Sequence, residues 1–204
     1  MAEKQIVDFG MADFILDEGL DTELRFDGKL CDDNSLLQAE GGQIELTPML
    51  EEINLADFGN GAFDHYVVGW EGEITITGAK TTLDVIAKTL SGVLVVNDND
   101  KLVSVTDDRL GTSLRETGKT LRIHPRGMGD DQSEDIVIHK VVNTGGLSKS
   151  YANERGSYEI TFSILPKDCA DANKANNFFY IGQDPTEVEG FEELTRTEDA
   201  TPSV

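Results

Sequence analysis

Apolar and polar positions alternate with period two over residues 70–77. Trp70, Gly72, Ile74 and Ile76 fall on one face, with Glu71, Glu73, Thr75 and Thr77 on the other, the pattern of a half-buried strand. The period then changes. Leu83, Ile86, Ala87 and Leu90 recur at i, i+3, i+4 and i+7, one face of a helix. Thr81 with Asp84 reads as a capping box before that helix, and Gly92 is placed to end it. Both elements need a sheet to pack on. Tyr158, Ile160, Phe162 and Ile164 alternate with Glu159, Thr161 and Ser163, a second half-buried strand. Residues 135–143 (DIVIHKVVN) are apolar on both faces for most of their length, which predicts a central strand.

Shorter signals fill the gaps. Phe14–Leu16 is an apolar run, Leu24 and Phe26 flank Arg25 before a turn at Asp27-Gly28, and Ile44 and Leu46 alternate until Pro48. Val93–Val96 and residues 102–106 bracket Asn97-Asp98-Asn99-Asp100, a tight hairpin. The acidic tip lacks the spaced ligands, central Gly and terminal Glu of a calcium loop, so it reads as a plain turn. Leu121 and Ile123 alternate with Arg122 and His124 up to Pro125, and FFYI at 178–181 is the last apolar run. The strands come at short intervals with turn signals between them and one helix beside them. The predicted class is mainly β (α+β), a β-sandwich or small barrel with one flanking α-helix, a long projecting loop and terminal arms. Residues 1–182 read as one domain, and 183–204 as an acidic arm or disordered tail with few apolar anchors.

One segment resists a bland reading. Residues 48–68 carry Met49, Leu50, Ile53, Leu55, Phe58, Phe63, Tyr66 and Val67 around a Gly-Asn-Gly turn. That is too apolar for an idle loop. It is either an extra strand pair of the core or a long hairpin that packs on a partner subunit.

Charge changes the picture more than length does. The 204 residues hold 39 acidic and 17 basic side chains, a net charge of −22. The first 60 residues contribute 15 − 3 = 12 of those negative charges. Such a surface repels phosphate, which argues against a tightly held nucleic acid; the charge reads either as simple solubility or as a surface that passes or excludes a polyanion. The start, MAEKQIVDF, lacks a basic region followed by an apolar stretch, so no secretory signal is expected, and no run reaches the roughly 18 apolar residues of a membrane span. Cys31 and Cys169 have no CxxC spacing and read as reduced thiols of a chain made in a cytoplasm.

Candidate chemistry is sparse. His65, His124 and His139 have no second His or Cys at ligand spacing, so no metal site is expected. GxSxG, GxGxxG and phosphate-loop patterns do not occur. Carboxylates are so numerous that pairs of them carry no information about acid–base catalysis. No catalytic residue and no cofactor is expected.

Taken in order, the strand at 42–48 (GQIELTP), the insert and GWEGEITITGAKTTLDVIA resemble the strand, long loop, strand and helix of bacteriophage major tail tube proteins. TLRIHPRGMGDDQSEDIVIHKVVN at 120–143 and RGSYEITFSILPKD at 155–168 carry the likeness further, and it covers residues 40–182. The resemblance implies a fold similar to contractile-tail and type VI secretion tubes. It implies self-association into hexameric rings that stack into a tube through which DNA passes without specific binding. It also implies a virion protein assembled in the host cytoplasm, with a tape-measure protein, a tail terminator and distal tail or baseplate proteins as partners. Met49, Leu50, Ile53, Leu55, Phe58, Phe63 and Tyr66 would then contact the next ring or subunit. Glu71, Glu73, Asp130, Asp131 and Glu159 would line an electronegative lumen, and the helix would brace the sheet's other side. Rival readings are a tail terminator or decoration protein, and, from another class, a monomeric acidic β-sandwich binding module or an enzyme.

Overall fold

A computed structural model describes residues 10–30, 32, 34–59, 61–149 and 157–191. Among the described residues the strands in chain order are β1 (Ala12–Leu16), β2 (Leu24–Phe26), β3 (Gln38–Asn54), β4 (Ala62–Gly78), β5 (Val93–Asp98), β6 (Lys101–Asp107), β7 (Lys119–Pro125), β8 (Ile136–Asn143), β9 (Ser148–Lys149), β10 (Tyr158–Ile164) and β11 (Phe179–Ile181), and the α-helix beside them is α1 (Leu83–Thr89). Nine strands form one antiparallel sheet in the order β2-β1-β7-β8-β10-β4-β3, with β11 added to β8 and β9 to β10; β5 and β6 pair only with each other.

The sheet bends round its own apolar face. Phe14, Leu16, Leu24, Phe26, Ile74, Ile76, Leu121, Ile123, Ile138, Tyr158, Ile160 and Phe162 are buried together, drawn from strands at both ends of the order. The bend is fixed by short links between its two edges. Arg25 of β2 exchanges backbone hydrogen bonds with Asn34 and Leu36, just before β3. The Gln38 amide nitrogen then donates to the carbonyls of Ala12 and Phe26. The expected mainly β class with a flanking helix holds, and in place of a sandwich or small barrel it takes the form of one large curled sheet, not a closed barrel, with the β5–β6 pair apart. Gly42 marks the tightest approach. A Cβ there would stand 2.5 Å from the Phe14 ring and 2.7 Å from the Thr75 carbonyl, so only glycine lets β3 pass.

Three local readings change. β3 runs through Pro48, which pairs opposite Trp70; β3 is an edge strand, where a missing N–H is tolerated. The helix is capped by Thr82, not Thr81, whose hydroxyl accepts from the Val85 N–H at 3.3 Å. Its buried face is Val85 and Thr89, while Leu83 is exposed and Ile86, Ala87 and Leu90 are only half-buried. Polarity misled here. The Thr89 hydroxyl donates to the Val85 carbonyl at 2.7 Å and lies 3.1 Å from the Tyr158 hydroxyl, so a polar side chain is satisfied in the core.

The central strand is β8, flanked by β7 on one side and by β10 and β11 on the other. The hairpin at 97–100 turns through Asn99 and Asp100, both with positive φ, as a two-residue turn requires. Gln183–Phe191 contains a short 3-10 turn, Pro185–Glu187, and residues 192–204 of the expected arm lie outside the described residues. Cys31 lies outside them too, and Cys169 is a free, exposed thiol.

Candidate assembly surfaces

β3 and β4 are each seventeen residues long, and only their halves near the sheet body bury anything. Beyond Met49 and Gly69 the pair projects as a two-stranded ribbon. The register slips between Met49 and Leu50, which leaves Val68 as an extra residue and resets the alternation. From there Leu50 sits opposite Val67, and Glu51 opposite Tyr66. Each face of the ribbon thus mixes apolar and acidic residues, and neither has a sheet behind it. All seven contact candidates, Met49, Leu50, Ile53, Leu55, Phe58, Phe63 and Tyr66, are exposed, with Phe58 at 72 % and Phe63 at 57 %. The two phenyl rings meet at the tip with centroids 5.4 Å apart. The insert is a projecting hairpin and not an extra strand pair of the core. Val68, equally exposed, escaped sequence reasoning because the bulge is invisible there.

The acidic candidates divide. Glu71, Glu73 and Glu159 stand on the solvent face of β4 and β10, opposite the core. Register adds Glu45, directly across from Glu73, a residue recoverable from its alternation with Ile44 and Leu46. Asp130 and Asp131 are exposed in the β7–β8 loop and do not belong to that face. The Asp131 carboxyl is held below its usual value by the Ser133 N–H that it accepts.

Eight of the basic side chains among the described residues are consumed internally. Arg25, Lys29, Lys88, Arg115, Lys119, Arg122, Arg126 and Lys140 all pair with carboxylates. The buried Lys140 ammonium donates to both oxygens of Asp168 at 2.6 Å, and this holds the Asp168 carboxyl below its ordinary value. What remains uncompensated on the surface is mainly carboxylate.

The histidines stand apart. His124 is flanked by Asp135 Oδ1, 2.5 Å from Nδ1, and the Gly129 carbonyl, 2.8 Å from Nε2. Both oxygens only accept, so both contacts are made when the ring carries both protons. The bond to Asp135 raises the His124 pKa. Asp135 is itself buried and also accepts from Arg122, which reaches Glu18 as well. His139 instead faces the Asn176 side-chain oxygen at 2.6 Å. The network ties the β7–β8 loop to β1 and β7 and is structural in character. Among the described residues no three His, Cys, Asp or Glu side chains are grouped to hold a metal, and no helix is long and apolar enough to cross a membrane.

No family model matches the chain. Two curated proteins are similar to part of it: UDP-N-acetylglucosamine 1-carboxyvinyltransferase 2 from Streptococcus thermophilus strain CNRZ 1066 and from strain ATCC BAA-250 / LMG 18311. Each is 28% identical over 108 residues, 48% of this chain. The chain spans 25% of the length of those enzymes, a partial likeness that establishes no family.

Proposed function

We propose that this chain is the subunit of a bacteriophage tail tube, a structural protein that closes into rings and stacks them into a channel for DNA. The observation that carries the proposal is the β3–β4 ribbon: it exposes large apolar side chains among its acids on both faces, is tipped by two exposed phenylalanines, and has no described residues packed behind it. An isolated two-stranded ribbon of this kind is marginal in water and gains its stability by packing on something else. Among the described residues no strand lies beside the outer edge of β3, and pairing with a neighbouring subunit would remove that edge. A contact that closes within a ring and one that does not close between rings give a tube.

The acidic face of Glu45, Glu71, Glu73 and Glu159 suits a channel wall. Cations there would trap phosphates by counterion release, whereas carboxylates leave a duplex free to slide. Negative-stain microscopy of the purified chain tests the reading. Tubes or stacked rings are expected; single rings would favour a terminator-like role, and monomers at high concentration would overturn self-assembly.

The partial likeness to a carboxyvinyltransferase favours a second reading, group transfer to a nucleotide sugar. Against it stands the cavity beside β7 and β8, where Glu18, Asp131, Asp135, Asp184 and Glu187 surround a single arginine, Arg122. A diphosphate is recognised by cations, not carboxylates. Calorimetric titration with UDP-N-acetylglucosamine decides: heat of saturable binding would restore the enzyme reading.

A further inference from the structure

We infer that His124 is a proton-operated strap: with both ring nitrogens protonated it pins the β7–β8 loop, residues 126–134, to the sheet, and loss of one proton frees the loop. This goes beyond assembly and holds for a subunit whether or not it forms a tube. The loop is anchored at its ends. At one end the Arg126 N–H donates to the Met11 carbonyl at 3.0 Å, and the Arg126 guanidinium holds Asp13. At the other, Asp135 is buried and its carbonyl accepts from the Gly182 N–H at 2.8 Å. Between these anchors only Met128 is half-buried, and the other residues of 127–134 are exposed. Their bonds stay local. The Gly129 N–H reaches the Arg126 carbonyl at 3.4 Å, Asp131 N–H the Met128 carbonyl at 3.2 Å, and Ser133 N–H the Asp131 carboxylate at 3.0 Å. Among the described residues, the hydrogen bond that joins residues 127–134 to a strand is the one from His124 Nε2 to the Gly129 carbonyl, at 2.8 Å. Gly129 has a φ of 64°, and a glycine there lets that carbonyl swing away without a steric penalty.

The ring's other nitrogen, Nδ1, faces Asp135 Oδ1 at 2.5 Å. A carboxylate and a carbonyl both only accept, and a neutral imidazole has one N–H to give. That proton stays on Nδ1, because the bond to a charged acceptor is the stronger. Nε2 then turns a lone pair on the Gly129 carbonyl, and the strap becomes a repulsion. Every element around the ring bears on this proton. Asp13 of β1 stands opposite His124 and is engaged by Arg126. Arg122 of β7 opposes the imidazolium, Asp131 of the loop and Asp135 before β8 favour it, and Glu18 neutralises Arg122 in turn. Past β11, Tyr180, Asp184 and Glu187 share a cavity with Arg122 and Asp135. Led by the bond to Asp135, the balance raises the His124 pKa, so the strap is complete below about pH 6.5 and is lost as pH climbs through the raised value. The freed segment carries Asp131, Gln132 and Ser133, so one wall of that cavity loosens while the sheet stays intact.

The test places a nitroxide label at Asp130→Cys in the full chain, with Cys31→Ser and Cys169→Ser removing the other thiols. Electron paramagnetic resonance reads the ratio of loose to held loop in monomers and assemblies alike. From pH 5.5 to pH 9 the ratio should rise roughly tenfold or more, the factor carried by one hydrogen bond from a charged donor. A label at Ser104→Cys on β6 should show no such rise, and neither should the loop label in His124→Gln, which cannot titrate. A flat ratio at position 130, a rise on acidification, an equal rise at position 104, or the parent's rise persisting in His124→Gln would each overturn the strap. Should His124→Gln fail to fold, the comparison of positions 130 and 104 in the parent decides alone.

Discussion

Replacing Asp135 with asparagine removes one charge from a site built for it. The Asp135 side chain is 3% exposed, and its partners Arg122 and His124 are 21% and 16% exposed. Deleting one member of a buried ionic set costs about 3–5 kcal/mol, mostly through the partner left uncompensated. Arg122 keeps Glu18 at 2.9 Å and some solvent, which places Asp135→Asn near the lower end, at about 3 kcal/mol. For a chain of this size, that is a fall in melting temperature of roughly 6–12 °C. The pH dependence is a second, independent signature. The His124 pKa is raised in the fold above its ordinary 6.5, first by its bond to Asp135. Its stabilising contribution is therefore full below about pH 6.5 and fades as pH rises through the raised value. Asp135, Arg122 and Asp131 are the charged groups acting on this equilibrium. Thermal unfolding followed by circular dichroism between pH 5 and pH 9 should show the parent losing this increment with rising pH and Asp135→Asn lacking it. A variant that keeps the parent's slope, or loses less than about 1 kcal/mol, refutes the reasoning.

Two further outcomes are expected. Phe58→Ser with Phe63→Ser removes rings that are mostly in water already, so the loss of stability should be about 1–2 kcal/mol, while sedimentation should show assembly abolished; loss of cooperative unfolding would instead place the tip in the core. Gly42→Ala drives a methyl into Phe14 and the Thr75 carbonyl and should cost about 3 kcal/mol or more in denaturant unfolding. A loss below 1 kcal/mol would mean that the two edges of the sheet are looser than described.

Elements governed by local periodicity could be read from the sequence. β4 and β10 show their alternation because one face meets the core and the other meets water, and β8 reads as central because it is apolar on both sides. The hairpin of β5 and β6 announces itself through its turn residues. What escaped depends on partners far away. β1 and β2 look like scattered apolar runs among acids, yet Phe14, Leu16, Leu24 and Phe26 are core, because β1 lies against β7. The link by Gln38 could not be anticipated, since its acceptors come from two other strands. The insert stayed ambiguous for a physical reason: an apolar strand pair looks the same in sequence whether it meets its own core or another molecule's.

The place of β1 also bears on how the subunit acquires its shape. It is inserted between β2 and β7, and the Lys119–Asp17 pair that accompanies it spans 102 residues of chain. The β3–β4 ribbon, by contrast, needs only a short turn to zip. Local contacts tend to form before distant ones, which carry a larger loop-closure cost, so the ribbon is expected to precede the closing of the core. A nascent chain thus displays its stickiest hairpin while β7, β8 and β10 are still being synthesised. Premature association is the hazard of that order of events, and the acids Glu51, Glu52, Asp57 and Asp64 on the ribbon act as gatekeepers against it.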